Sequence, residues 1–329
     1  MSRLSVAVVQ GGPSSEAEVS RASATAVAKA LVAAGHAAVR IELDAWLGES
    51  LRTGGYDVVF PVVHGAVGED GSLQGLLEVH ELPYVGSDVL ASALAMNKVL
   101  ARKLFDLAEL PVANGIAASR LDEKADAAAR RARDSVGRAL VVKPAASGSA
   151  IGVTRLGDDA TDEDVARAIE QVWALDDVAL IERFVVGREV TCGVLDLEPG
   201  KRPIAFPPTE IASPSDAFYT YAARYAPGRS VHTCPADIGE NDPLVRDYAV
   251  RAHLALGCRD LSRVDFVVGD EGECVLLEVN TMPGFTGTSL YPEAAAVFGI
   301  PFPQLCDKLV TTAQARGSRR RNTALPLPK

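Results

Sequence analysis

Two carboxylates, one amide and one guanidinium interrupt a pair of short apolar runs within residues 262–290. The first run carries Arg263 and Asp265, the second ends in Glu278 and Asn280, and a Gly/Asp-rich turn separates them. Short β-branched-rich runs around such a turn are typical of a β-hairpin. Because side chains alternate along a strand, the four polar residues are predicted to share one face.

The two carboxylates and the amide form a candidate metal site. Mg²⁺ accepts carboxylate and amide oxygens, and phosphates and water usually complete its coordination. Pairing Val268 with Glu273 across the turn is the register predicted here. In that register Arg263 lies opposite Glu278, so a structural ion pair between them is the alternative interpretation. Unpaired buried charges cost several kcal/mol, so these groups need either each other or a ligand.

A glycine-rich turn follows the first strand-like run, Leu4–Val9. The pattern Ser15-x-x-Glu18 predicts a capping box at the start of a helix, and a strand at Ala38–Leu43 completes a βαβ unit. Glu16 lies at the helix N-terminus, where an anion would otherwise bind, so its carboxylate favours a cationic group such as a substrate amine. The alternative is a first-turn glutamate that stabilises the helix dipole.

Two further features indicate a ligand site. His64 follows the strand-like run Asp57–Val63, at the strand end where α/β proteins bind ligands. A later strand ends at Lys143 and precedes a loop of small residues, 145–152, whose N–H groups can close over phosphate oxygens as a lid. The alternative for Lys143 is a strand-end lysine in solvent. The aromatic segment 218–225 is either a flap over a ligand or part of a core.

The composition indicates a folded protein of two or three domains. Of its 329 residues 48% are hydrophobic, and 33 basic against 43 acidic side chains give a net charge of -10. That charge disfavours binding to nucleic acid or to an anionic membrane. The five cysteines lack metal-ligand spacing, and we find no signal peptide or membrane-spanning run, so a reduced, cytoplasmic protein is predicted.

The order of these features is more specific than any one of them. It is carried by GGPSSEAEVS from Gly11, HGAVGEDGSLQG from His64, GSDVLASALAMNK from Gly86, VVKPAASGSAIGV from Val141, IERFVVGREVT from Ile181, FYTYAARY from Phe218 and RVDFVVGDEGECVLLEVNTMPGFTGTSL from Arg263. Together these stretches resemble the ATP-grasp superfamily, and within it the D-alanine–D-alanine ligase family, over nearly the whole chain.

The resemblance implies an α/β and α+β architecture of the ATP-grasp type. An N-terminal parallel βαβ domain, a central lid domain and a C-terminal antiparallel-sheet domain are expected. The implied ranges are 1–96, 97–187 and 188–314, followed by a flexible tail at 315–329.

The implied reaction joins two D-alanines into D-alanyl-D-alanine for peptidoglycan precursors, through a D-alanyl phosphate, and releases ADP and phosphate. The implied cofactors are ATP and Mg²⁺ or Mn²⁺, as two ions held by Asp265, Glu278 and Asn280. A homodimer is also expected.

The resemblance also implies individual roles. Glu16 would bind the ammonium of the first D-alanine, with Ser149 and Tyr225 linking the lid to it. Arg263 and the Gly284 N–H would form the oxyanion hole. The other implied substrate-binding residues are His64, Ser289 and Leu290. The implied nucleotide-binding residues are Lys98, Lys143, Ser149, Glu182, Arg183, Val185, Glu189, Arg224 and Leu277.

Some residues depart from the family pattern. Arg224 replaces a lysine, Ala150 a serine, and Thr288 a histidine found in some members. One alternative is a related ligase whose second substrate is D-serine, D-lactate or another amino acid, although Tyr225 favours a dipeptide product. The other is a non-catalytic ATP-binding protein, which the presence of the metal ligands and Arg263 argues against.

Overall fold

The N-terminal part of the fold is a parallel three-stranded sheet whose strands are connected by helices. The computed structural model describes residues 3–212, 231–269 and 272–318. The sheet has the order β2-β1-β3 with parallel pairing, which confirms the predicted βαβ unit. Its elements are β1 (Ser5–Gln10), α1 (Ala17–Ala33), β2 (Ala37–Glu42), α2 (Leu47–Thr53), β3 (Val58–Pro61), α3 (Ser72–Val79) and α4 (Val89–Met96).

The start of helix α1 differs from the prediction. Glu16 is the N-cap residue, and no side chain caps this helix end. The hydroxyl of Ser14 accepts the Glu16 N–H at 3.3 Å and donates to the His64 carbonyl at 2.7 Å. The capping box predicted at Ser15 is therefore wrong, because a contact with the end of the neighbouring strand shapes this turn instead.

The central part is an antiparallel four-stranded sheet with the order β4-β7-β5-β6. Thr161 caps its last helix in a full capping box, and that helix buries Val165, Ile169 and Val172 against the sheet. The lid loop joins the inner strand β5 to the edge strand β6. The elements are α5 (Lys98–Leu107), β4 (Gly115–Ser119), α6 (Ala125–Ser135), β5 (Leu140–Pro144), β6 (Thr154–Leu156), α7 (Asp162–Trp173) and β7 (Val178–Arg183).

The C-terminal part is an antiparallel sheet with the order β11-β10-β8-β12-β13, and β9 pairs with β8. A helix packs on one face of its central strands, and residues of the other face line a cavity. The elements are β8 (Arg188–Asp196), β9 (Ile204–Ala205), β10 (Thr209–Ala212), β11 (Val231–Thr233), α8 (Asn241–Ala255), β12 (Asp260–Val268), β13 (Cys274–Asn280), α9 (Leu290–Val297) and α10 (Phe302–Arg316).

The hairpin β12–β13 forms as predicted, but in another register. Val268 pairs with Cys274 rather than Glu273, and the register shifts again between Asp265 and Phe266. The predicted pairing of Arg263 with Glu278 is therefore wrong. Asp265 lies opposite Glu278, and Arg263 lies opposite Asn280. Leu277 is the extra residue of the resulting bulge. The four polar residues still share one face because their pairings all lie on the same side of that bulge.

The three sheets occupy residues 5–61, 115–183 and 188–280, each inside one of the predicted domain ranges, and the boundaries themselves stay a prediction. Helix α10 extends to Arg316, past the predicted start of the tail. Arg316 forms an ion pair with the buried Asp260 and donates to the Tyr84 carbonyl, so these residues belong to the packed fold. None of the helices in the described ranges has the length and apolarity that crossing a membrane requires.

Candidate active site

A cavity of about 350 Å³ lies between the glycine-rich turn, the lid loop and the β12–β13 hairpin. It brings together residues that are far apart in the sequence and that were assigned to substrate, oxyanion and metal. The predicted site residues that line it are Glu16, His64, Ser149, Glu189, Arg263, Asp265, Leu277, Glu278, Asn280, Gly284, Ser289 and Leu290.

Asp265 accepts hydrogen bonds from three neighbouring residues. The Arg263 guanidinium donates to both of its oxygens, at 2.8 and 2.7 Å. Asn280 Nδ2 donates to Asp265 Oδ2 at 3.2 Å, and the Thr191 hydroxyl donates to Oδ1 at 2.7 Å. Arg263 is therefore held in a bidentate fork, and the ion pair offered as the alternative interpretation forms with Asp265 instead of Glu278.

Glu278 is paired with Lys98. The Lys98 ammonium lies 3.2 Å from Glu278 Oε2 and donates to the Ser147 carbonyl at 2.6 Å. The Lys98 N–H also donates to the Ala145 carbonyl at 2.8 Å. Lys98 thus connects the hairpin to the lid loop.

Glu16 meets the lid loop from the opposite side. The Ser149 hydroxyl donates to Glu16 Oε1 at 2.5 Å, and both residues are buried. Ser149 and Ala150 both adopt left-handed backbone conformations, with φ of 52° and 55°. Consecutive non-glycine residues in this region are strained, and such strain is typical of functional segments. A side chain at Gly65, where φ is 76°, would approach within 3.1 Å of Glu16 Oε2.

His64 is buried and has a protein partner at each ring nitrogen. Its Nδ1 lies 3.2 Å from the Met282 carbonyl, and its Nε2 lies 3.4 Å from the Ser23 hydroxyl. Burial lowers the pKa of His64, the nearby Glu16 carboxylate raises it in part, and the Arg263 charge lowers it further. The ring is therefore neutral, with Nδ1–H donating to the Met282 carbonyl.

The loop before helix α9 presents backbone groups to the same cavity. Ser289 precedes the helix, Leu290 is its first residue, and both line the cavity, so the first turn can attract an anion there. The Ser289 hydroxyl accepts the Thr286 N–H at 3.0 Å. A Cβ at Gly284 would lie 3.2 Å from this hydroxyl, so glycine permits the close approach.

A second cavity, of about 310 Å³, lies between the lid sheet and the C-terminal sheet. It shares Glu189, Leu277 and Glu278 with the first cavity. The predicted nucleotide-binding residues that line it are Lys98, Lys143, Glu182, Arg183, Val185, Glu189 and Leu277. Ser149 was also assigned to the nucleotide, but it lines only the first of these two cavities.

Glu182 pairs with two cationic side chains in the second cavity. Lys143 and Arg102 each form an ion pair with its carboxylate. Burial acts to raise the pKa of Glu182, but the charges of Lys143 and Arg102 outweigh it, and the pKa is lowered. Lys143 is 8% exposed, so the alternative of a solvated strand-end lysine is wrong.

Arg102, Phe184 and Arg155 were missed by the sequence reasoning. Arg102 lies one helical turn after Lys98 in α5, a spacing that places both on one face. The Arg155 guanidinium lies 3.7 Å from the centre of the Phe184 ring, beside the cavity. The Arg183 side chain pairs with Glu273 at 2.5 Å, so it faces the hairpin turn.

Because the family resemblance assigns Lys143 to ATP phosphates, we expect Arg102→Met to raise the KM for ATP about tenfold with a smaller effect on kcat. Without Arg102, Glu182 has one cation left, and Lys143 is held more tightly against that carboxylate instead of a phosphate. Steady-state kinetics at varied ATP measures this. Lys103→Met, at the neighbouring exposed position, is the matched control. An unchanged KM for ATP in Arg102→Met would show that the paired charges do not tune Lys143.

The chemistry of the hairpin donors fits Mg²⁺. Asp265 and Glu278 supply carboxylate oxygens and Asn280 supplies an amide oxygen, which are the hard ligands that this ion selects. Both carboxylates already attract cations of the chain, Arg263 and Lys98. No cluster of three or more His, Cys, Asp or Glu residues suited to a metal occurs in the described ranges, because this set has only two carboxylates.

Two predicted residues, Tyr225 and Arg224, lie outside the described residues. Within the described part, sequence reasoning also missed Glu69 and Thr191. Glu69 lies in the glycine-rich stretch after His64. In that stretch the sequence analysis had assigned a role only to His64. Thr191 faces Asp265 across strands β8 and β12.

The family profile described as D-ala D-ala ligase C-terminus matches residues 104–311, and the one described as D-ala D-ala ligase N-terminus matches residues 49–87. The chain belongs to the D-alanine–D-alanine ligase family. A D-alanine–D-alanine ligase of Pelotomaculum thermopropionicum is 42% identical over 97% of this chain and 99% of its own length. This is an ATP-dependent ligase family, so the non-catalytic interpretation is not supported.

Two solved structures of the ligase family have the same fold. The D-Ala:D-Ser ligase VanG from Enterococcus faecalis has a TM-score of 0.81 and 32% identity, covering 95% of this chain and all of its own. A D-alanine–D-alanine ligase from Bacillus anthracis, complexed with ATP, has a TM-score of 0.80 and 27% identity over 95% of this chain and 98% of its own. The predicted ATP-grasp fold is confirmed.

Proposed function

We propose that the chain joins two D-alanines at the expense of ATP, through a D-alanyl phosphate, and releases ADP and phosphate. The observation that carries this proposal is the pair of adjoining cavities that share Glu189, Leu277 and Glu278. One cavity has groups for an amino acid and the other has cations for phosphates. A carboxylate acylates poorly, and phosphorylation at the shared wall would give it a good leaving group.

The first cavity offers one group for each charge of the substrates. Glu16 accepts the ammonium of the first D-alanine. Arg263 and the Gly284 N–H receive its carboxylate and the oxyanion formed when the second amine attacks. Ser289 and the Leu290 N–H bind the carboxylate of the second D-alanine. His64 supports this cavity through its contacts with Ser23 and Met282.

The second cavity offers the groups for ATP. Lys98 and Lys143 contact phosphates, Glu182, Arg183 and Val185 surround the adenine, and Glu189 accepts the ribose hydroxyls. Leu277 packs beside the nucleotide, and Arg224 adds a positive charge to nucleotide binding.

Asp265, Glu278 and Asn280 would hold Mg²⁺ or Mn²⁺, as two ions, which offset the repulsion between phosphates and carboxylate. The hydroxyl of Ser149, with Tyr225, ties the lid to Glu16. The closed lid excludes water, which would otherwise hydrolyse the acyl phosphate.

Phosphate release tests the proposal. With ATP and Mg²⁺, the enzyme is expected to release phosphate with D-alanine and not with L-alanine, and D-alanyl-D-alanine is expected by mass spectrometry. D-serine and D-lactate, each added with D-alanine, test the second substrate, because VanG is a D-Ala:D-Ser ligase with a very similar fold. Faster formation of a mixed product than of D-alanyl-D-alanine would overturn the assignment of the second substrate. No phosphate release with D-alanine would overturn the whole proposal.

We also propose a cytoplasmic homodimer that binds neither nucleic acid nor membrane. The net charge of -10 supports the absence of polyanion binding. Sedimentation equilibrium measures the oligomeric state directly, and a monomer at micromolar concentration would contradict the dimer.

A further inference from the structure

Glu69 is an acidic side chain of the first cavity to which the proposed reaction gives no task. It is half-buried and lines the cavity, and burial removes water from around its carboxyl group. Its Oε2 accepts the Gly65 N–H at 2.6 Å, and the Met282 backbone also donates to it. Glu69 therefore joins two loops from opposite sides of the cavity.

The loop that Glu69 reaches is held by the N-terminal part of the fold at three points. The Met282 carbonyl accepts from His64 Nδ1 at 3.2 Å, and the Phe285 N–H donates to the Ser23 hydroxyl at 3.3 Å. With Glu69 on the Met282 N–H and His64 on the Met282 carbonyl, both backbone polar groups of this residue are bonded. Gly284 lies between these anchored positions, so the direction of its N–H depends on them.

We propose that Glu69 is a positioning residue that fixes the Met282–Phe285 loop and so aims the Gly284 N–H at the reacting carboxylate. The proposal rests on the proposed function for the role of that N–H, while the contacts of Glu69 are independent of it. A misplacement of about 1 Å in a catalytic group can cost about 10²-fold in rate. Such a residue affects kcat more than ATP binding, because it acts through the loop and touches no nucleotide.

The protonation state of Glu69 matters because of its neighbours. Burial raises its pKa to about 8, the Gly65 and Met282 hydrogen bonds and the Arg263 charge oppose the shift, and the Glu16 carboxylate adds to it. His64, whose ring is neutral, precedes the segment that carries Glu69 and contacts the Met282 carbonyl. Below this pKa the cavity holds a neutral Glu69 beside the Glu16 carboxylate. Above it a second negative charge faces the substrate carboxylate.

Two substitutions separate the contact from the charge. Glu69→Ala removes the acceptor for both N–H groups, so kcat is expected to fall about 10–100-fold with little change in the KM for ATP. Glu69→Gln keeps an acceptor and cannot ionise, so the decline in wild-type kcat above about pH 8 is expected to be absent. Glu49→Gln, an exposed carboxylate of α2 paired with Arg52, is the matched control and should keep the wild-type profile.

Hydrogen–deuterium exchange provides a readout that does not need turnover. The peptide that contains Met282–Phe285 is expected to exchange faster in Glu69→Ala than in the wild type or in Glu69→Gln. Unchanged exchange together with unchanged kcat in Glu69→Ala would overturn the positioning role. A wild type that releases no phosphate with D-alanine, but whose Glu69→Ala variant loosens this loop, would overturn the proposed reaction and leave the contact standing.

Thermal unfolding adds a second check on the buried carboxyl. A carboxyl whose folded pKa is raised stabilises the fold below its unfolded pKa, and this stability is lost as the pH rises through the folded value. Wild-type Tm is therefore expected to fall relative to that of Glu69→Gln as the pH rises toward 8. A constant Tm difference across this range would contradict the buried, neutral form.

Discussion

Glu278→Gln is expected to lower the rate of phosphate release by at least about 10³-fold. Glu278 lies at the wall shared by the two cavities, where the nucleotide and the amino acid would meet in the proposed reaction. Glutamine has nearly the same volume but lacks the charge that a divalent cation requires. Phosphate release at saturating ATP and D-alanine measures the loss.

The fold should survive this substitution. The glutamine carbonyl can still accept from Lys98, and the neighbouring Asp265 keeps its bonds to Arg263 and Asn280. Glu273→Gln is the matched control because Glu273 lies on the same hairpin, half exposed and paired with Arg183. Wild-type turnover in Glu278→Gln, at any Mg²⁺ concentration, would remove the metal assignment. A loss of equal size in Glu273→Gln would show that the hairpin is merely fragile.

Arg263→Lys is expected to lower kcat by about 10²–10³-fold, or about 3 kcal/mol of barrier, with an unchanged KM for ATP. The guanidinium is fixed by two hydrogen bonds to Asp265 and lines the first cavity, where the proposed oxyanion would form. Lysine keeps the charge but cannot reproduce the planar fork. Separate titrations of ATP and D-alanine measure the two KM values and kcat.

The control for Arg263→Lys is Arg202→Lys. Arg202 also pairs with a carboxylate, Asp247, but both side chains are largely exposed, and such pairs contribute little. Wild-type kcat in Arg263→Lys would show that charge alone suffices at this position. A rise in the KM for ATP with constant kcat would instead place Arg263 in nucleotide binding.

The polar face of the hairpin could be predicted from the sequence because strand alternation is local. The register could not, because the bulge at Leu277 shifts the pairing by one residue while the hydrophobic pattern stays the same. The same limit applies to the helix start, where Ser14 bonds to a carbonyl 50 residues away and displaces the predicted cap at Ser15.

Contacts between distant segments were the hardest to predict. Arg102 and Glu182 are separated by 80 residues, and neither local pattern indicates the other. Ser149 meets Glu16 across 133 residues, and only the resemblance to a family connected them. Glu69 was within a quoted motif, but its importance depends on burial and on a loop more than 200 residues further along the chain, which no spacing rule reveals.

The shared wall of Glu189, Leu277 and Glu278 bears on inhibitor design. A compound confined to the nucleotide side competes with cellular ATP for groups that suit any nucleotide. A compound that joins an adenine mimic to an amino-acid mimic would occupy both cavities. Its second half would bind at the high effective concentration set by the linker. Selectivity would then come from the amino-acid half, whose carboxylate and ammonium contacts are particular to this chemistry.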